Sequence, residues 1–120
     1  MTGGASMPIE VAYQFMEFAP NCKVRVAYGA TETSACVTTF MKDSTVEESV
    51  ETVGSPLDFV EIKLIDPKTK KIVKIGETGE LHCRGHVTML GYWCEPEKTK
   101  ESIDDGHWYN TGYGLFEIAS

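Results

Sequence analysis

Tyr28-Gly29-Ala30-Thr31-Glu32-Thr33-Ser34 follows directly on Lys23-Val24-Arg25-Val26-Ala27. The preceding run is apolar and β-branched, so residues 23–28 read as a strand. Gly29 then lets the backbone turn sharply. The loop beyond carries a ring, hydroxyls and one carboxylate. In an open α/β sheet, ligands sit past the carboxyl ends of the strands, where Tyr28, Thr31 and Glu32 would be placed. A ring can stack on a base, a hydroxyl can meet a phosphate oxygen, and a carboxylate can hold a hard cation such as Mg²⁺. Taken alone, the same stretch also reads as a polar turn after a buried strand.

Working back toward the start, Ser6 is a candidate N-cap and Pro8 is tolerated in a first helical turn. Ile9, Ala12, Phe15, Met16 and Ala19 recur at helical spacing, which predicts an amphipathic helix over 8–18 that ends near Pro20. Met1-Thr2-Gly3-Gly4-Ala5-Ser6 reads as a loop that follows a strand. Loop, helix and strand together form a remnant of a parallel α/β layer. Parallel sheets are normally built from several strands and buried on both faces. One strand and one helix would leave Phe15, Phe18, Val24 and Val26 short of partners. At ~25 cal/mol per Å² of apolar surface, the shortfall is several kcal/mol. The expectation is that this third of the chain was cut from, or docks onto, something larger, such as a larger α/β partner.

From about residue 45 the pattern changes to short strands and turns. Phe59–Ile65 alternates, with Val60, Ile62 and Leu64 on one face and Glu61 and Lys63 on the other. Asp66-Pro67-Lys68-Thr69-Lys70 is a turn of hairpin character, and Lys71–Ile75 is the expected return strand. Gly76-Glu77-Thr78-Gly79 turns into a strand over Glu80–Arg84 that Gly85 closes. Val87–Tyr92 reads as extended, Pro96–Ser102 as a short helix, and Asp104-Asp105-Gly106 as a tight turn into Trp108-Tyr109-Asn110. Strands at this spacing predict a small antiparallel, distorted β-barrel after the α/β remnant, hence a mixed α+β chain.

A chain of 120 residues is one domain's worth. Its net charge of -7 weighs against nucleic acid and anionic membranes as partners. Cys22, Cys36, Cys83 and Cys94 are widely spaced, with no CxxC pair, which fits reduced thiols inside a cell. No run approaches the length of a membrane span, and no signal peptide is visible. Gly76-Glu77-Thr78-Gly79 is not a phosphate loop, because Glu77 and Glu80 would repel phosphate and no GK[ST] follows. His82 and Cys83 are adjacent on a strand and so point to opposite faces, which argues against a zinc set with His86. His107 reads as a surface turn residue. Tyr92, Trp93, Trp108 and Tyr109 read as an aromatic packing cluster.

Several ordered segments together resemble the adenylate-forming synthetases, which comprise acyl-CoA synthetases, peptide-synthetase adenylation domains and luciferases. They are Thr2-Gly3-Gly4-Ala5, Tyr28-Gly29-Ala30-Thr31-Glu32, Gly76-Glu77-Thr78-Gly79-Glu80-Leu81, Gly91-Tyr92-Trp93 and Trp108-Tyr109-Asn110-Thr111-Gly112. Met89-Leu90-Gly91-Tyr92-Trp93 with Glu95-Pro96-Glu97-Lys98-Thr99 is most similar to the medium-chain acyl-CoA synthetases of the mitochondrial family-member-two type. The resemblance implies a two-step ligation. A fatty acid carboxylate attacks the α-phosphate of Mg-ATP to give an acyl-adenylate and pyrophosphate, and the thiol of coenzyme A then displaces AMP. It implies that Gly3, Gly4 and Ala5 line the adenine pocket and that Tyr28 and Gly29 flank the nucleotide. Thr31 would bond the α-phosphate, and Glu32 would hold Mg²⁺. Residues 1–44 would then be the C-terminal part of a nucleotide-binding subdomain, and 45–120 the barrel subdomain. An intracellular setting follows, mitochondrial or cytoplasmic.

The departures are as informative. The family's Thr-Gly-Asp, whose aspartate takes two ribose hydroxyls, is here Thr111-Gly112-Tyr113, and a tyrosine cannot act as a charged bidentate acceptor. The family's phosphate loop would lie upstream of Met1, and its catalytic-lysine domain beyond Ser120. No cluster of Lys or Arg takes over the neutralisation of a triphosphate. The expectation is a central fragment with part of an adenylate site, inactive alone. The alternative is a non-catalytic docking module or truncated pseudoenzyme of the same descent.

Overall fold

The computed structural model describes residues 1–40, 43–112, 114 and 116–118, and Tyr113 therefore lies outside the described residues. The chain divides into two compact units, Met1–Asp58 and Phe59–Ser120. The change of sequence pattern near residue 45 falls inside the first.

In the first unit, helix α1 runs Ile9–Phe18, with Pro8 extended at its N-cap and Ala19 N–H closing the last turn on the Phe15 carbonyl. Its two sides differ. Ala12 is fully buried, whereas Val11, Phe15 and Phe18, at i, i+4 and i+7, are 46%, 49% and 88% exposed. The expected strand over 23–28 is not a continuous ladder. Val26 is held by a single parallel bridge to Thr2, and Tyr28 by an antiparallel bridge to Thr38.

Val24 and Val26 are nevertheless buried, which corrects the expectation that they would lack partners. A helix that the pattern reading missed lies in the same unit and bonds to Val26. Helix α2, Val46–Glu51, starts on a reciprocal cap in which Thr45 Oγ1 accepts from Glu48 N–H and Glu48 Oε2 accepts from Thr45 N–H. Its buried Ser49 accepts from Val26 N–H at 3.0 Å. The Tyr13 hydroxyl donates to the Glu47 carboxylate and ties α1 to α2. Short strands β1 (Thr38–Thr39) and β2 (Ser55–Pro56) pair antiparallel beside them.

The second unit is an antiparallel sheet. Strand β3 (Val60–Ile65) pairs along its whole length with β4 (Thr78–Gly85). The other edge of β4 takes β5 (Tyr109–Asn110) at Cys83 and β6 (Phe116–Glu117) at Gly79. The described strands form an open sheet and do not close into a barrel. The return strand expected at Lys71–Ile75 contracts to one bridge, Ile65 to Ile72. Strand β4, not the local hairpin arm, is the main partner of β3. Val87–Tyr92 is turn and bend rather than extended, and helix α3 (Pro96–Ser102) follows it.

Register sets the core of this unit. Ile62 faces Cys83, Leu64 faces Leu81, and Cys83 faces Tyr109 in turn. Leu64, Leu81, Cys83 and Tyr109 are all buried. The opposite face pairs Glu61 with Arg84 and Lys63 with His82. There Arg84 donates to both Glu61 oxygens, at 3.0 and 2.7 Å. The expected aromatic cluster is dispersed. Tyr109 is core, Trp108 lies beneath the Lys63 and Arg84 cations at 4.2 and 4.6 Å, Lys98 caps Tyr92 at 4.3 Å, and Trp93 is 91% exposed.

Candidate functional site

The residues expected to bind nucleotide, Gly3, Gly4, Ala5, Tyr28, Gly29, Thr31 and Glu32, all lie in the first unit. Thr2 N–H donates to the Arg25 carbonyl and Ala27 N–H donates to the Thr2 carbonyl, each at 2.9 Å. This parallel exchange sets Gly3 alongside Ala27, so closely that a Cβ on Gly3 would lie 2.8 Å from the Ala27 carbonyl oxygen. Gly4 turns at φ +88°, in the left-handed region that glycine tolerates. Two parallel segments that run side by side release their following loops at the same end. Gly3-Gly4-Ala5 and Gly29–Glu32 therefore leave the paired backbone together.

The 28–38 loop is folded onto itself. The Tyr28 carbonyl accepts from Val37 N–H at 2.7 Å and Thr38 N–H at 3.2 Å, which closes its base. Inside, Thr31–Thr33 forms one 3₁₀ turn. The Thr33 side chain is fully buried; its hydroxyl accepts from Ala30 N–H at 2.9 Å and donates to the Ala30 carbonyl at 3.1 Å. Ser34 and Ala35 then bend back through the left-handed region at φ 51° and 70°. A Cβ on Gly29 would fall 2.3 Å from the Ala35 carbonyl oxygen, so only glycine permits this return.

The loop thus separates its hydroxyls by task. Thr33 holds the backbone, Thr31 is exposed, Glu32 is half-buried, and Tyr28 lies half-buried at the base. Cys36 closes the turn with its thiol donating to the Thr38 carbonyl at 3.1 Å, and burial pushes that thiol up from its ordinary pKa. Sequence reasoning named Thr31 and Glu32 but missed the bracing role of Thr33. The signal was available, since a threonine three residues after a loop start is placed to bond back to it.

The donor set fits a nucleotide with a magnesium ion: backbone without side chains at Gly3 and Gly4, an exposed hydroxyl, and one carboxylate. No group of three or more His, Cys, Asp or Glu able to hold a metal occurs among the described residues. A cation at Glu32 would complete its shell with phosphate oxygens and water, as magnesium commonly does. In the second unit, Cys83 is fully buried on the core face while His82 lies on the opposite face and His86 is exposed.

Comparison with known proteins identifies the family. The family model described as AMP-binding enzyme matches residues 1–93. The human medium-chain acyl-CoA ligase ACSF2, mitochondrial, is 40% identical over 87 residues, covering 72% of this chain and 14% of the relative. The same ligase of Danio rerio is 35% identical over 112 residues, covering 93% of this chain and 18% of its own length. The chain thus spans less than a fifth of these curated relatives. Apo MatB from Rhodopseudomonas palustris superposes with a TM-score of 0.82 at 30% identity, over 99% of this chain and 23% of MatB. A family match across more than half of its length means that this chain belongs to the AMP-binding enzyme family.

Proposed function

We propose that this chain carries one wall of the adenylate site of an AMP-forming acyl-CoA ligase, a wall that binds nucleotide weakly without the rest of the pocket. The supporting observation is the parallel exchange at Thr2, which sends the Gly3-Gly4-Ala5 backbone and the Thr31-Glu32 loop out from the same end. In this reading Gly3, Gly4 and Ala5 admit the adenine edge, and Tyr28 and Gly29 flank its face. The Thr31 hydroxyl bonds the α-phosphate, and Glu32 holds magnesium. The bound Mg-nucleotide would supply an electrophilic phosphorus for a fatty acid carboxylate, and coenzyme A would take the acyl group. The chain's own contribution is to orient the nucleotide and to place charge.

Titration calorimetry with Mg-ATP and with an acyl-adenylate analogue should give weak or undetectable heats. Amide shifts at saturating AMP should then be confined to residues 3–5 and 28–32. Shifts centred elsewhere would refute the site, and tight binding would refute the claim that other walls are needed. The medium-chain substrate class and a mitochondrial setting follow from likeness to the ACSF2 ligases and belong to the same proposal.

A second reading, a docking module or pseudoenzyme of the same descent, draws on the Val11, Phe15 and Phe18 stripe. A helix apolar on both sides is normally covered on both. A monodisperse monomer that binds no hydrophobic dye would count against it.

A further inference from the structure

The cations are unevenly spread. Lys68, Lys70, Lys71 and Lys74 fall within one short stretch of a chain that has 11 Lys and Arg in all, and each is exposed. The fold holds them in a defined turn. Asp66 N–H donates to the Lys71 carbonyl at 2.9 Å, Lys70 N–H donates to the Asp66 carbonyl at 2.8 Å, and Val73 N–H donates to Leu64 at 3.0 Å. The two carboxylates of the stretch, half-buried Asp66 and exposed Glu77, are bonded to its backbone. Asp66 Oδ1 accepts from Lys68 and Thr69 N–H groups, and Glu77 Oε2 accepts from Lys74 N–H at 3.0 Å. Among these lysines stand two uncovered apolar side chains, Ile72 at 69% and Ile75 at 68% exposure.

We propose that the 66–75 turn is a docking surface for an anionic lipid bilayer. The lysines meet lipid phosphates, and Ile72 and Ile75 enter the boundary between headgroups and acyl chains. The net charge of -7 weighs against anionic partners as a whole-chain sum. Exposed charges, however, are screened beyond about 10 Å at ~0.1 M salt, so an approaching surface senses the local lysines first. Clusters of four or more cations beside apolar side chains suit lipid interfaces. The isoleucines favour lipid over an acidic peptide or nucleic acid, neither of which offers an apolar layer to enter. The proposal rests on no reading of the 28–34 loop.

The test is co-sedimentation of the chain with phosphatidylcholine vesicles, with and without phosphatidylserine. Binding should require phosphatidylserine and fall steeply with added salt. Each lysine-to-glutamine change should lower partitioning about fivefold, the factor that corresponds to ~1 kcal/mol per cation at such a surface. The combined Lys68→Glu, Lys70→Glu, Lys71→Glu, Lys74→Glu variant should not bind. Ile72→Ser with Ile75→Ser should weaken binding and keep its salt dependence. A quadruple glutamine variant guards against misfolding of the glutamate one, with circular dichroism as the check. Three results would each overturn the proposal: no binding to phosphatidylserine vesicles, equal binding to neutral ones, or binding unchanged in the quadruple variants, which would assign it to the α1 stripe. So would equal capture by soluble heparin with no effect of the isoleucine changes.

Discussion

Gly29 and Ala35 are in backbone contact across the loop, close enough that a Cβ at Gly29 would sit 2.3 Å from the Ala35 carbonyl oxygen and 2.6 Å from Cys36 N. Both clashes are with backbone, which cannot rotate away as a side chain could. Gly29→Ala should therefore force the loop open at its base and cost about 1–3 kcal/mol, the range for overpacking a closed site. A chemical-denaturation midpoint measures it. A smaller loss than Gly4→Ala produces would show that the contact relaxes, since a Cβ at Gly4 meets nothing within 4 Å.

Thr33 and Glu32 are neighbours with opposite expectations. Thr33→Val keeps the shape but strands the part-buried Ala30 N–H, at a cost of about 1–3 kcal/mol. Thr31 is exposed, and Thr31→Ala should stay within ~0.5 kcal/mol of the parent stability. Nucleotide titrations should show the reverse order. Magnesium dependence of the AMP amide shifts should vanish in Glu32→Gln and persist in Thr33→Val. A Glu32→Gln variant that keeps its magnesium response would remove that residue from the proposed site.

These contrasts also show why some features were legible and others not. Helix α1 was readable because its periodicity is local, and Pro96–Ser102 because proline marks its start. Strand β3 was readable from alternation, but its partner was not. Lys71–Ile75 lies nearer, yet pairing with Thr78–Gly85 sets Leu64 against Leu81 and Ile62 against Cys83 and so builds a core. Pairing of that kind is a tertiary choice invisible to short-range pattern. Helix α2 was overlooked although Thr45 and Glu48 carry a capping signature, because its six residues are mostly polar and give no apolar stripe. At the site, the residue types at Tyr28–Glu32 were legible from chemistry. The parallel exchange with Thr2 and the return of Ala35 against Gly29 arise only when the chain closes on itself.

His82 gives the second unit a predictable acid response. Burial, and next the Lys63 ammonium across the strand pair, hold its imidazole below the usual histidine range. The unfolded chain takes up that proton near pH ~6.5 while the folded chain does not. The unfolded state then binds more protons, so stability falls as pH drops through that value. The contribution is present above about pH 6.5 and is lost below it. His82→Gln should flatten the midpoint-versus-pH curve just below pH ~6.5. Further acid should still destabilise both proteins, because Arg84 holds the Glu61 carboxylate below its ordinary range. An identical slope in parent and variant would assign the response to other groups.

The four cysteines should separate cleanly by reactivity toward a small alkylating reagent. Cys22 and Cys94 are exposed, Cys36 is half-buried and bonded to the Thr38 carbonyl, and Cys83 is fully buried among the paired strands. The thiolate is the attacking species, and burial raises the pKa of both Cys36 and Cys83, so each carries less of it near pH 8 than a free thiol. Cys83 must also wait for the sheet to open. With an opening free energy of only ~4 kcal/mol, its labelling would be about a thousandfold slower than that of an exposed thiol. Mass spectrometry over a time course should show Cys22 and Cys94 modified first, Cys36 later, and Cys83 only with denaturant. The same burial makes stability decline as pH rises past the ordinary thiol range, because the folded state then retains a proton that the unfolded chain gives up. Early labelling of Cys83 in buffer would mean that the β3–β4 pair opens far more readily than its full-length register requires.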